Sequence, residues 1–217
     1  MIDRSSAEAD LRVIRTLMER ASTYRAISAP TALVGGVLAL LSAVFIAKAD
    51  LFLGQPLRSR QFTLIWIGDL ILVLIVNAFF VGREAKNSGR PFISPSMRLA
   101  LRAIAPTLLV PVIYTTWFFY LGYLSGSELN LVAIWIVFYG LALLSTALFA
   151  PRSLALLGWA FLITGISIPV TTEFAEGLST NVPNFFMGIT FAGYHLVYAG
   201  FTWARRERVR SVQPVPE

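Results

Sequence analysis

A chain of 217 residues that is 56% hydrophobic and only 14% charged, with a mean hydropathy of +0.69, is too apolar and too sparsely charged for a water-soluble domain of its length. Zero cysteines exclude disulfides, thiolate metal sites and cysteine nucleophiles. The net charge of +6 raises the question of nucleic acid, but a basic excess confined to loops is what membrane insertion itself requires, so it is read as topology and no nucleic-acid partner is expected.

The segment before the first apolar run is polar and mixed in charge, without the short apolar core of a cleavable signal peptide. Within it Ser5-Ser6-Ala7-Glu8 has the spacing of a capping box, and Leu11, Ile14, Met18 and Ala21 follow at alternating steps of three and four. That pattern predicts an amphipathic cytoplasmic helix over residues 1–26. Its other face holds Glu8, Arg12, Arg15, Glu19 and Arg20, suited to an anionic leaflet, to a partner helix or to its own bundle.

A bilayer core of about 30 Å needs about 20 apolar residues at 1.5 Å each, and six such runs follow in residues 27–203. They are Ile27–Ala47, Phe62–Val81, Leu99–Tyr123, Leu129–Ala150, Leu154–Thr172 and Pro183–Trp203. Pro151-Arg152-Ser153 leaves almost no loop between the fourth and fifth, which therefore form an antiparallel hairpin or one bent element. The expected fold class is all-α, a polytopic bundle of six transmembrane helices with an amphipathic N-terminal helix. Residues 204–217 read as a basic, then proline-containing tail.

Orientation comes from Lys and Arg. The N-terminal segment, the loop holding Arg83, Lys86, Arg90, Arg98 and Arg102, the loop holding Arg152, and the tail fall on one side. They carry all the basic residues but three, Lys48, Arg58 and Arg60. The positive-inside rule places that side, and so both termini, in the cytoplasm. The opposite loops carry Glu128, Glu173 and Glu176, and aromatics crowd the outer boundary at Trp117, Phe118, Phe119, Tyr120 and Tyr123.

Few residues within the runs carry chemistry. Asp69 in the second and His195 in the sixth lie deep in hydrocarbon, where an ionisable group costs about 2.5–3.5 kcal/mol and normally finds a partner inside the bundle. Asn77, Tyr114, Tyr139, Tyr194 and Tyr198 are candidates to stand nearby. Two readings follow: a proton-linked or ligand-binding pair, or a structural clasp joining two helices. Small residues at Gly35, Ala39 and Ala43 on the first helix, and at Gly188 and Ala192 on the sixth, mark faces for close helix approach, within the chain or between copies. Pro106 and Pro111 predict a kink in the third span. Leu38-Ala39-Leu40-Leu41-Ser42 recurs as Leu141-Ala142-Leu143-Leu144-Ser145, a short echo compatible with an inverted repeat.

Enzyme templates lack parts. One histidine precludes a multi-histidine metal site within the chain. Gly68-Asp69 resembles half of the intramembrane aspartic protease motif, but that chemistry needs two carboxylates and only one lies deep in a span. Phosphate-loop and dinucleotide glycine patterns are absent.

The stretch Leu11-Arg12-Val13-Ile14-Arg15-Thr16-Leu17-Met18-Glu19-Arg20-Ala21-Ser22, with Ala29-Pro30-Thr31-Ala32-Leu33-Val34-Gly35-Gly36, resembles the start of a group of uncharacterised bacterial multi-span membrane proteins. Met187-Gly188-Ile189-Thr190-Phe191-Ala192-Gly193-Tyr194-His195-Leu196-Val197-Tyr198 is similar to that group's last helix. The resemblance implies a bacterial cytoplasmic membrane and a six-span layout, and implies no catalytic residue or cofactor. The expected function is non-enzymatic: an accessory subunit of a membrane complex or a regulatory module, with the bilayer and a membrane protein or second copy as partners. The alternative is a small transporter or channel built on Asp69 and His195.

Overall fold

The structure, a computed structural model, describes residues 29–55, 57–87, 93, 95–121, 128–147, 150–173 and 181–212, and every regular element among them is helical. The N-terminal helix expected over residues 1–26 lies outside the described residues. In chain order the helices are α1 (Ala29–Ala47), α2 (Ala49–Leu53), α3 (Ser59–Asn87), α4 (Pro95–Leu121), α5 (Glu128–Leu144), α6 (Arg152–Glu173), α7 (Val182–Met187) and α8 (His195–Val212). A π-helical segment, Gly188–Tyr194, joins α7 to α8. Helices dominate because only backbone that bonds within its own segment can lie in hydrocarbon without leaving peptide groups unsatisfied.

Four of these helices are long and apolar enough to cross a membrane: α1, α3, α4 over Met97–Tyr120 and α6 over Arg152–Pro169. The fourth expected run is shorter than its apolar stretch. Helix α5 stops at Leu144, not Ala150, because Ser145 and Thr146 hydroxyls bond back to the carbonyls of Ala142 and Leu143, at 2.8 and 2.7 Å, and the backbone tightens into a turn. Its 17 residues span about 25 Å. The last run exceeds its expected end, since helix continues from Val182 through the π segment to Val212 and takes in part of the predicted tail. Helix α2 was not anticipated; Gly54, at φ 70°, follows it in the left-handed conformation that glycine adopts without cost. Pro106 and Pro111 lie inside a helix assigned without interruption.

Lipid tails are as apolar as leucine, so close packing rather than apolar burial selects which helices touch. The tightest seam is the α5–α6 hairpin, as the short Pro151-Arg152-Ser153 connection implied. There the backbones meet through glycine: a Cβ on Gly140 would stand 2.7 Å from the Leu162 nitrogen and 2.8 Å from the Gly158 oxygen, and one on Gly165 would stand 2.8 Å from the Val137 nitrogen.

Helix α1 is the other centre, packing on α3, α7, the π segment and α8. Ala39 and Ala43 are buried as expected, and Gly188 lies against Ala43, a Cβ there falling 3.3 Å from the Ala43 Cβ. Ala192 is buried as well. Gly35 belongs to a different seam, facing Val73 of α3, while the closest approach to α8 falls at Gly36, where a Cβ would meet the Leu196 side chain at 2.8 Å. Helix α4 packs on α5. Helices α3 and α4 expose long rows of large apolar side chains, among them Leu70, Leu74 and Ile75 on the former and Leu109, Val112 and Ile113 on the latter. Such rows would be an aggregation hazard in water and are the natural surface in lipid.

Candidate functional site

Besides hydroxyls that bond back to their own helix, such as those of Thr107 and Thr202, polar side chains of the bundle form separate links between helices. One is at His195, a buried residue at the first position after the π segment. Its imidazole Nδ1 lies 3.0 Å from the Phe191 carbonyl oxygen and its Nε2 lies 2.8 Å from the Tyr139 hydroxyl on α5. A carbonyl only accepts, so the Nδ1 carries the proton, and in neutral imidazole the Nε2 accepts from the Tyr139 O–H. The backbone N–H of His195 bonds to the Ala192 oxygen three residues back and so does not take up the Phe191 carbonyl.

Aromatic rings close round this link. Tyr139 and Phe161 have centroids 4.7 Å apart, Phe191 stands 5.2 Å from each, and Phe161 lies edge-on to Tyr194 and His195. The Tyr194 hydroxyl is 2.7 Å from the Thr164 hydroxyl on α6. Tyr198, one turn beyond His195, is buried beside the same core. The arrangement ties α5, α6 and the last helix together. A proton handed from Tyr139 to His195 would stop at the Phe191 carbonyl, which cannot pass one on.

Asp69 makes a different link. The Ser42 hydroxyl of α1 stands beside its carboxylate, while its Oδ2 is buried with no protein partner. Both nitrogens of His195 are occupied elsewhere, so the expected Asp69–His195 pair is not formed as a hydrogen bond. Asn77 pairs with Thr31, 3.1 Å away at the start of α1. Tyr114 lies half-buried on α4, the helix whose tie to α5 is the Trp135 indole donating to the Thr115 hydroxyl at 2.8 Å. Of the five candidates Asp69, His195, Asn77, Tyr114 and Tyr198, the structure brings together only His195 and Tyr198.

Three polar residues outside that set prove structurally important. Asn184, in the first turn of α7, donates its amide to the Ala43 oxygen at 2.8 Å, and its Oδ1 is buried without a partner. Trp66, one turn before Asp69, packs on Phe62 and Phe191 and buries its indole Nε1 with no acceptor. Ser42 is the third. An amide in an apolar run was the one available sequence signal, for Asn184; a tryptophan in a span reads equally well as lipid-facing. Among the described residues no group of three or more His, Cys, Asp or Glu side chains is placed to hold a metal ion.

Four helices long and apolar enough to cross a membrane mark the chain as a multi-pass helical membrane protein. Compared with known proteins, the chain matches no family model, no curated protein and no solved structure.

Proposed function

We propose that the chain is a six-span protein of a bacterial cytoplasmic membrane with both termini in the cytoplasm, acting as a non-enzymatic accessory subunit or regulatory module of a membrane complex. The observation that carries this reading is how its intramembrane polar groups are used. Thr31–Asn77, Ser42–Asp69, Thr115–Trp135, Tyr139–His195, Thr164–Tyr194 and Asn184 with the Ala43 carbonyl each join two different helices. Polarity spent on interhelical links builds a scaffold, and the long apolar flanks of α3 and α4 suit lipid or a neighbouring membrane helix. The fifth and sixth spans in this reading are α5 and the continuous helix from α7 to α8.

Purification of the full chain from its native membrane in mild detergent, with native mass spectrometry, tests the proposal. A stoichiometric protein partner is the expected result. The transporter or channel reading has one observation in its favour, the unpartnered Asp69 Oδ2 one turn from Trp66, the residue that packs on Phe191 of the π segment. If the chain purifies alone and conducts ions or protons in liposomes, with loss in Asp69→Asn, that reading replaces the first.

Topology is separately testable. Reporters fused after Arg90 or at the C-terminus should read cytoplasmic and those at Ser125 or Ser179 external, given the distribution of basic residues. A cytoplasmic signal at Ser179 would overturn the six-span arrangement.

A further inference from the structure

Among the described residues, three buried side-chain polar atoms lack a protein partner: Trp66 Nε1, Asp69 Oδ2 and Asn184 Oδ1. They come from two helices that both pack on α1, and helix register brings them to one level of the bundle. Along α1 and α3, Thr31 meets Asn77, Gly35 meets Val73 and Ser42 meets Asp69. The two helices are therefore antiparallel, and Trp66, one turn back from Asp69, lies level with α1 just past Ala43. Along α1 and the last helix, Gly36 meets Leu196, Gly188 meets Ala43, and Asn184 reaches the Ala43 oxygen. Ser42 and Ala43 thus mark a common layer. Trp66 also touches Phe191 across it, their ring centroids 6.5 Å apart.

The three atoms have complementary chemistry. The indole Nε1 is only a donor and the carboxylate Oδ2 accepts. The amide of Asn184 is oriented by its bond to the Ala43 carbonyl, which requires nitrogen on that side and leaves the oxygen as the free acceptor. Trp66 and Asn184 are each more than nine-tenths buried, at 4% and 5% exposure. A buried donor or acceptor without a partner costs about 1–3 kcal/mol. One molecule offering an acceptor lone pair and two donor hydrogens satisfies all three.

We propose that this layer is an intramembrane hydration site: a water molecule accepts from Trp66 Nε1–H and donates to Asp69 Oδ2 and Asn184 Oδ1. Three hydrogen bonds is the usual complement of a structural buried water. Asp69 then faces the Ser42 hydroxyl and a bound water, which accounts for an aspartate on a helix whose other face is apolar. The site stands on the polar layer alone and is independent of the subunit reading.

Nuclear magnetic resonance of the full chain in nanodiscs provides the test. The indole N–H signal of Trp66, assigned by its disappearance in Trp66→Phe, should show a cross-peak to a bound water. The cross-peak should be lost in Asn184→Leu and in Asp69→Leu, retained in Asp69→Asn, which keeps an acceptor oxygen, and unchanged in Asn77→Leu, two turns away. Should the leucine variants fail to fold, the wild-type spectrum still decides: an indole signal with no water cross-peak, or one bonded directly to a protein or lipid acceptor, overturns the site.

Discussion

Replacing Gly158 by valine should prevent α5 and α6 from closing and abolish the monodisperse folded protein in detergent. The hairpin is the tightest seam of the bundle: at Gly140 the facing backbone leaves no room for a Cβ, and at Gly158 a Cβ is already in tight contact, so the two further methyls of valine have nowhere to go. A Cβ on Gly158 would fall 3.1 Å from the Gly140 oxygen and 3.1 Å from the Leu143 Cβ, with Leu144 at 3.0 Å. Backbone cannot rotate aside as a side-chain tip can, so the helices must separate. Overpacking in a core costs about 1–3 kcal/mol when side chains give way, and a backbone contact belongs at or above the upper end. The separation would also reach the aromatic core, because Phe161 lies on the same α6 face as Gly158, and Leu131, Ile136 and Phe161 are among the most buried side chains. Gly200→Val and Gly68→Val are the controls, since nothing lies within 4 Å of a Cβ at either position. Size-exclusion profiles and thermal unfolding of the three variants decide the matter: equal behaviour of Gly158→Val and Gly200→Val would show that the glycine seam does not determine packing.

That seam also shows where sequence reading ends. Four helices long and apolar enough to span were legible because length and apolarity are local properties, and the α5–α6 hairpin was one of the two arrangements that a three-residue connection allowed. Which small residues face which helix was not. Gly35 and Gly36 are adjacent, yet one step of about 100° sends the first toward Val73 on α3 and the second toward Leu196 on α8. Gly140, Gly158 and Gly165 were indistinguishable from scattered small residues until the partner helix was known. The π segment left no local mark either: Gly188–Tyr194 is an ordinary apolar run. The polar candidates illustrate the same limit. Depth along a span was readable for Asp69 and His195, but pairing depends on which helices adjoin. Asp69 went to Ser42 on its neighbour α1, and His195 to Tyr139 on α5.

The Tyr139–His195 bond should behave as an energetic couple, and Asp69–His195 should not. Tyr139→Phe keeps the ring that packs on Phe161 and Phe191 and removes only the hydroxyl, leaving Nε2 of His195 buried without a partner. The expected loss is about 1–3 kcal/mol, the cost of a stranded polar group. His195→Leu strands the Tyr139 hydroxyl in the same way and also releases the Phe191 carbonyl. In the double variant both groups are gone, so the combined loss should fall short of the sum by about 0.6 kcal/mol, the average for hydrogen bonds between membrane helices, and by no more than about 1.7 kcal/mol. Asp69→Leu combined with His195→Leu should instead add within about 0.3–0.5 kcal/mol, because the two residues have separate partners. Reversible unfolding in mixed micelles measures both cycles. Strict additivity for Tyr139 and His195 would remove their bond from the account of stability. Strong coupling between Asp69 and His195 would mean that α3 and α8 approach more closely in the membrane than a layer bridged by Trp66 and Phe191 allows, and would return those two residues to consideration as a single functional pair.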